Sequence, residues 1–159
     1  MKERHKAVPA VYVILRREGK ILVARRCNTD YQDGNYNLPS GHVEEGELPI
    51  QAMIREAKEE IGIDLAPESL VFSHIMYRAK HDSTGARVDY FFTAERWSGE
   101  VSNAEPHKCD DLRWVSPREL PENTTPHVRR ALEDIEKGIS YSELDVEFFK
   151  KHALYLLER

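Results

Sequence analysis

Three glutamates, Glu56, Glu59 and Glu60, stand at i, i+3 and i+4 in a stretch whose apolar residues recur with helical spacing. With Ile50 at zero and ~100° per residue, Met53, Ile54, Ala57 and Ile61 fall within ~60° of it, which predicts a core-facing stripe. On the same wheel Glu56, Glu59 and Glu60 fall at ~240°, ~180° and ~280°, so the three carboxylates share the face opposite the core, with Arg55 beside them. Like charges at this spacing cost roughly 0.2–0.5 kcal/mol per pair in an isolated helix. A helix that needs only solubility would alternate Glu with Lys. Hard oxygen donors clustered on one rigid face suit Mg²⁺ or Mn²⁺. Taken alone, the string also fits a solvated acidic face.

The elements that must hold this face are readable in outline. Val8 to Arg16 is rich in Val, Ile and Tyr and predicts a strand; Lys20 to Arg25 predicts a second, joined through Glu18-Gly19 as a hairpin. Arg26 to Ser40 is polar and turn-rich, a loop long enough to be functional. The helix is expected over Glu47 to Ile61, with Pro49 in its first turn and Gly62 as its stop. Further strands are expected at Leu70 to Arg78, Arg87 to Ala94 and Leu112 to Val115. Ser116 to Leu120 reads as a helical turn. Thr125-Pro126 reads as a cap and first-turn proline, opening a helix with Val128, Ala131, Leu132 and Ile135 on one face. A last helix is expected after a cap at Ser140 or Ser142, with Leu144, Phe148, Tyr155 and Leu156 among its apolar positions. Strands with one embedded helix, followed by helices, argue for an α/β or α+β domain.

The chain has 159 residues, 40% hydrophobic and 32% charged, with a net charge of −5. That suits one folded domain. An acidic balance argues against holding a nucleic-acid polymer by backbone neutralisation, which shows a basic excess. Any anionic ligand then needs a mediator. Cys27 and Cys109 form neither a disulfide scaffold nor zinc spacing and read as reduced thiols. The apolar run Ala7 to Leu15 is too short to span a membrane, so a cytoplasmic protein is expected.

The helix does not stand alone. Gly41 is followed after five residues by Glu47, and after seven more by Arg55-Glu56-Ala57-Lys58-Glu59-Glu60-Ile61-Gly62-Ile63. This resembles the Nudix box, G-x5-E-x7-R-E-U-x-E-E-x-G-U, where U is a bulky aliphatic residue. At ordinary residue frequencies of roughly 5–8%, matching its seven residue-specific positions by chance has an order of ~10⁻⁸ per starting position. Ala57 departs from the pattern, being smaller than usual, and Ser40 stands where many members carry a second glycine. The resemblance covers residues 7 to about 137 and implies an α/β/α sandwich with a mixed β-sheet and a catalytic loop–helix–loop. Residues 1–137 are accordingly expected to form the Nudix domain. Residues 138–159 form a C-terminal helical segment, packed on it or at a homodimer interface.

The resemblance implies hydrolysis of a nucleoside diphosphate linked to another moiety. By position, Glu56, Glu59, Glu60 and the backbone carbonyl of Gly41 are similar to the family's metal ligands, with Mg²⁺ or Mn²⁺ as cofactor. Glu47 and Arg55 are then supports, Arg55 orienting a ligand carboxylate. The general base is Glu59, Glu60 or a loop carboxylate, Glu105. Arg25 and Arg26 end the second strand where similar proteins place a phosphate contact, and alternation along the strand favours one of them, Arg26. Tyr36, Tyr77, Tyr90 and Phe92 are candidates to stack on a base. A small single-domain member fits a MutT-type enzyme acting on (deoxy)nucleoside triphosphates or modified nucleotides. Nucleotide sugars, ADP-ribose and a non-catalytic nucleotide sensor are the alternatives, and the partner is a small nucleotide, with no polymer and no membrane.

Overall fold

A computed structural model describes residues 1–157, with side chains described through 152. Eight strands form one mixed sheet: β1 (Ala7–Arg17), β2 (Lys20–Arg26), β3 (Tyr36–Asn37), β4 (Ser40–His42), β5 (Val71–Arg78), β6 (Ala86–Ala94), β7 (Cys109–Val115) and β8 (Tyr141–Leu144). Their order is β3-β2-β1-β6-β5-β8, with β4 also pairing β1 and β7 also pairing β2. The β1–β6 and β5–β8 pairs are parallel and the others antiparallel. Among the described residues three α-helices complete the fold, α1 (Pro49–Ile61), α2 (Pro126–Glu136) and α3 (Val146–Leu157), beside a short 3-10 turn at Pro67–Ser69.

β1 explains the layering. A strand sends alternate side chains to opposite faces. Val11, Val13 and Leu15 meet α1 through Ala52, Met53, Ala57 and Ile61, while Ala10, Tyr12 and Ile14 meet α2 through Val128, Ala131 and Leu132. Both faces are covered, so β1 reads as a continuous apolar run rather than an alternating one. The result is an α/β/α sandwich.

Several expectations need correction. β1 and β2 pair at Arg16↔Ile21 and Arg17↔Lys20. β1 then runs on beside β6 and β4, so the hairpin splays open and leaves room at its open end. Ser116 to Leu120 is a turn, not a helical one. Thr125 precedes α2 as expected, but its side chain caps nothing. The region expected to cap and open the last helix at Ser140 or Ser142 is instead strand β8, and Asp145 Oδ1 accepts the Phe148 N–H at the start of α3. Phe148 and Phe149 pack against the α2-side core. Tyr155 and Leu156 lie outside the residues whose side chains are described.

Ile50 is 37% exposed, although it anchored the core stripe on the helical wheel. The buried residues of α1 are Ala52, Met53, Ala57 and Ile61, so the apolar face is rotated away from Ile50. This rotation turns the glutamates toward the sheet rather than fully outward.

Candidate active site

The site is assembled where α1 meets β4. Pro49 starts the helix, and Gly62 ends it at φ 73°, a left-handed conformation that glycine adopts without penalty. The segment after the Trp97 region docks on this end: the Ser102 N–H donates to the Ile61 carbonyl and the Ala104 N–H to the Glu60 carbonyl. Those contacts satisfy carbonyls left open at a helix C-terminus and bring Glu105 to the carboxylates.

Arg55 is the hub of the acidic face. It donates to both oxygens of Glu47, Nε to Oε2 at 2.8 Å and Nη2 to Oε1 at 3.0 Å. Nη1 donates to Glu56 Oε1 at 2.8 Å and to Glu59 Oε2 at 3.4 Å. Nη2 also reaches the His42 carbonyl at 3.0 Å, tying the helix to β4. Arg55 holds the Glu47 carboxyl down to about 2. The planar guanidinium can serve these oxygens at once, which a lysine cannot.

The glutamates are not equivalent. Glu59 is exposed, whereas Glu56 and Glu60 are half-buried, so the expectation of one solvated face holds for Glu59 alone. Glu60 Oε2 accepts the Ser40 backbone N–H at 3.0 Å. Burial pushes the Glu60 carboxyl up to about 8 against the pull of that hydrogen bond, and the charges of Glu56 and Glu105 push it further. Burial raises Glu56 as well, against Arg55. Gly41 lies directly against Glu56: a Cβ on residue 41 would overlap the Glu56 carboxyl group.

This donor set fits a divalent cation. Arg55 and Ser40 take one oxygen each from Glu56, Glu59 and Glu60, leaving one carboxylate oxygen on each without a protein donor among the described residues. The remaining donors are hard oxygens, and Glu56 and Glu60 are raised mainly by burial, with neighbouring carboxylates adding to it. Among the described residues no three acidic or imidazole groups already converge at ligating distance.

A cleft of about 820 Å³ opens over this wall. Gly41, Arg55, Glu56, Glu59, Glu60, Glu105, Arg25 and Arg26 all line it. Arg25 and Arg26 were expected to face opposite ways, but the β2–β7 register shifts between them, and both reach the cleft. Arg25 Nε is bonded to Asp110 at 2.6 Å. The Arg26 guanidinium donates to neutral groups, the Tyr31 carbonyl and the Thr29 hydroxyl. Glu105 is paired with Lys108 at 3.2 Å. Glu47 stands behind Arg55 and outside the cleft lining.

A family model described as the NUDIX domain matches residues 4–135. This chain belongs to the Nudix family. It is similar to an Escherichia coli CTP pyrophosphohydrolase, 39% identical over 117 residues, covering 72% of this chain and 79% of that one. It is also similar to an E. coli 8-oxo-dGTP diphosphatase, 33% identical over 125 residues, covering 76% and 92%. Among solved structures, a MutT NUDIX hydrolase from Burkholderia pseudomallei superposes with a TM-score of 0.74 at 27% identity, covering 81% of this chain and 98% of that one. This Nudix chain is a MutT-like pyrophosphohydrolase, an enzyme acting on acid anhydrides.

Other parts of the Nudix site were not legible from sequence. None of Tyr36, Tyr77, Tyr90 and Phe92 lines the cleft. Tyr36 is buried with its hydroxyl on Asp111, Tyr77 bonds His5, and Tyr90 and Phe92 belong to the α1-side core. Tyr12, Tyr31, Arg78 and Arg87 line it instead. Tyr31 sits in the loop after β2, and Arg78 and Arg87 gave a weak signal, since polar residues inside β-strands ordinarily alternate outward. Among the described residues, no helix is long and apolar enough to cross a membrane.

Proposed function

We propose that this Nudix hydrolase cleaves the pyrophosphate link of a (deoxy)nucleoside triphosphate or modified nucleotide with Mg²⁺ or Mn²⁺ as cofactor. The observation that carries the reading is the set of three carboxylates, each with one uncommitted oxygen, on the cleft wall beside Gly41. Glu56, Glu59, Glu60 and the Gly41 carbonyl would hold the ion. When bound, the ion neutralises phosphate charge and activates water for attack at phosphorus.

The chain's own residues do the rest. Arg55 and Glu47 keep Glu56 and Glu59 from turning away. Arg26 takes a substrate phosphate, because its hydrogen-bond partners are neutral, whereas an ion pair with Asp110 already answers Arg25. Arg25 then acts as the weaker contact. The general base is drawn from Glu59, Glu60 and Glu105. The names of the two bacterial relatives support a nucleoside triphosphate, and they span 79% and 92% of those proteins' lengths. A charge of −5 supports a free nucleotide over a polymer. Two free thiols support a reducing, cytoplasmic setting.

The test is a substrate panel with Mg²⁺, covering nucleoside triphosphates, oxidised nucleotides, ADP-ribose, nucleotide sugars and capped RNA. Release of pyrophosphate and a nucleoside monophosphate from a triphosphate, abolished by chelator, is expected. Turnover of ADP-ribose or nucleotide sugars alone would move the substrate class, and binding without turnover would sink the enzymatic role.

A further inference from the structure

The cleft wall contributed by β1, β5 and β6 is basic. Arg78 on β5 and Arg87 on β6 are direct cross-strand partners. Both line the cleft, with Ala10 and Tyr12 of β1. Both are buried, Arg78 at 3% and Arg87 at 7% exposure. Like charges placed opposite each other in a sheet destabilise it.

The carboxylates nearby are already committed. Asp89, fully buried, places Oδ2 2.6 Å from Arg78 Nε and accepts Arg78 Nη2 on Oδ1 at 3.1 Å. Arg78 Nη2 also reaches the Tyr12 hydroxyl at 3.3 Å. Asp82 accepts the Thr84 N–H and hydroxyl on Oδ1, and its Oδ2 lies 3.3 Å from His81 Nε2. Arg87 is left with no side-chain hydrogen bond and no ion pair to any described residue. Arg78 Nη1 is buried without a hydrogen-bond partner. Buried polar groups are almost always satisfied, so the open Arg78 Nη1 is costly, and the Arg87 charge is answered by Asp82 and Asp89 only at longer range. Here the two open donors border the same cleft that takes the substrate.

We propose that Arg87, backed by Arg78, is a specificity-determining subsite. It would take an acceptor-only group on the part of the substrate that is not attacked. This rests on the reading of the carboxylate wall as the hydrolytic site. The shared chemistry is a group that offers lone pairs and no hydrogen: either the acceptor edge of a nucleobase or a further phosphate. A guanidinium fork matches both. If the source is a base, guanine and cytosine offer adjacent acceptors, whereas adenine sets a donor beside its N7 and is disfavoured.

The test measures binding without divalent metal, so it does not depend on turnover. AMP, GMP, CMP, UMP and inorganic phosphate are titrated calorimetrically into the wild-type chain, Arg87→Gln and Arg87→Lys, in chelator. At least one probe should bind the wild type and weaken by roughly tenfold or more in Arg87→Gln, the scale of one charge-assisted hydrogen bond. Loss confined to particular bases, and not rescued by lysine, assigns the base edge. Equal loss for all monophosphates and inorganic phosphate, rescued by lysine, assigns a phosphate. The ligand-free Arg87→Gln chain should stay folded, because Arg87 gives up no hydrogen bond or ion pair with any described residue and only a longer-range attraction to Asp82 and Asp89. Unchanged binding of every probe, or absence of binding to the wild type at millimolar concentration, would each overturn the proposal. Failure of hydrolysis in the Mg²⁺ panel, with the Arg87 effect intact, would indict the proposed reaction and not the subsite.

Discussion

Glu56 occupies the space that any side chain on residue 41 would need. Gly41 of β4 pairs with Val11 of β1, and a Cβ on residue 41 would overlap the Glu56 carboxyl group. The missing side chain lets a strand edge approach a helix closely enough for the Glu56 carboxylate and the Gly41 backbone to share one corner of the cleft. Gly41→Ala should therefore push Glu56 out of place. We predict a loss in kcat of at least about tenfold and a higher Mg²⁺ requirement, at nearly unchanged far-ultraviolet circular dichroism. Metal titration of the activity checks this.

Arg55 ties Glu47, Glu56, Glu59 and the His42 carbonyl together through one planar group. Arg55→Lys keeps the charge and loses the fork. Its kcat should fall about 10–100-fold, the range for groups that orient metal-binding carboxylates, with a smaller change in KM. Steady-state kinetics at saturating Mg²⁺ separates the two effects.

The rotation of α1 predicts unequal costs for two isoleucines. Ile61, 2% exposed, lies in the α1-side core, while Ile50 is 37% exposed. Ile61→Ala should cost about 2–5 kcal/mol of stability, and Ile50→Ala no more than about 0.5 kcal/mol. Denaturant melts of both variants decide.

That rotation also marks where sequence reading stopped. The spacing of the box and the Pro49 and Gly62 punctuation located α1 to within two residues, because caps and periodicity are local signals. The helical wheel went astray at Ile50, since it cannot tell which edge of an apolar stripe the sheet will cover. Strand β8 was missed because its inward residues are Ser142 and Leu144, and the serine is satisfied only by a distant partner, His74 Nε2 at 2.7 Å. The two arginines of the basic wall face inward from strands that read as ordinary. The Asp89 partner of Arg78 and the proximity of the two arginines depend on cross-strand register. The carboxylate wall was legible because one helix carries it; the basic wall was not, because three strands must meet to make it.

His127 supplies a pH dependence. It is buried in the core at the start of α2, its Nε2 3.3 Å from the Tyr12 hydroxyl, and burial holds its pKa well below the ordinary value. The folded chain thus binds fewer protons at this site than the unfolded chain once the pH drops below about 6.5, so stability present above that pH is lost as pH falls. Between pH 7.5 and 5.5 this site lowers the melting temperature as pH falls, while the raised Glu60 carboxyl works the other way over the same range. The difference between wild type and His127→Gln isolates the histidine: the variant should gain melting temperature relative to wild type as pH falls, as thermal melts across the range would show.

The central claim is that the box carboxylates of this chain drive hydrolysis of a nucleotide pyrophosphate, and the most direct measurement is pyrophosphate release under saturating Mg²⁺. The wild-type chain should yield pyrophosphate and nucleoside monophosphate in equal amounts. Glu59→Gln and Glu60→Gln should each fall by orders of magnitude in kcat while remaining folded, and Glu105→Gln reports whether the loop carboxylate shares the base role. Near-wild-type rates in both box variants, or no turnover of any nucleotide by the wild type, would contradict the account.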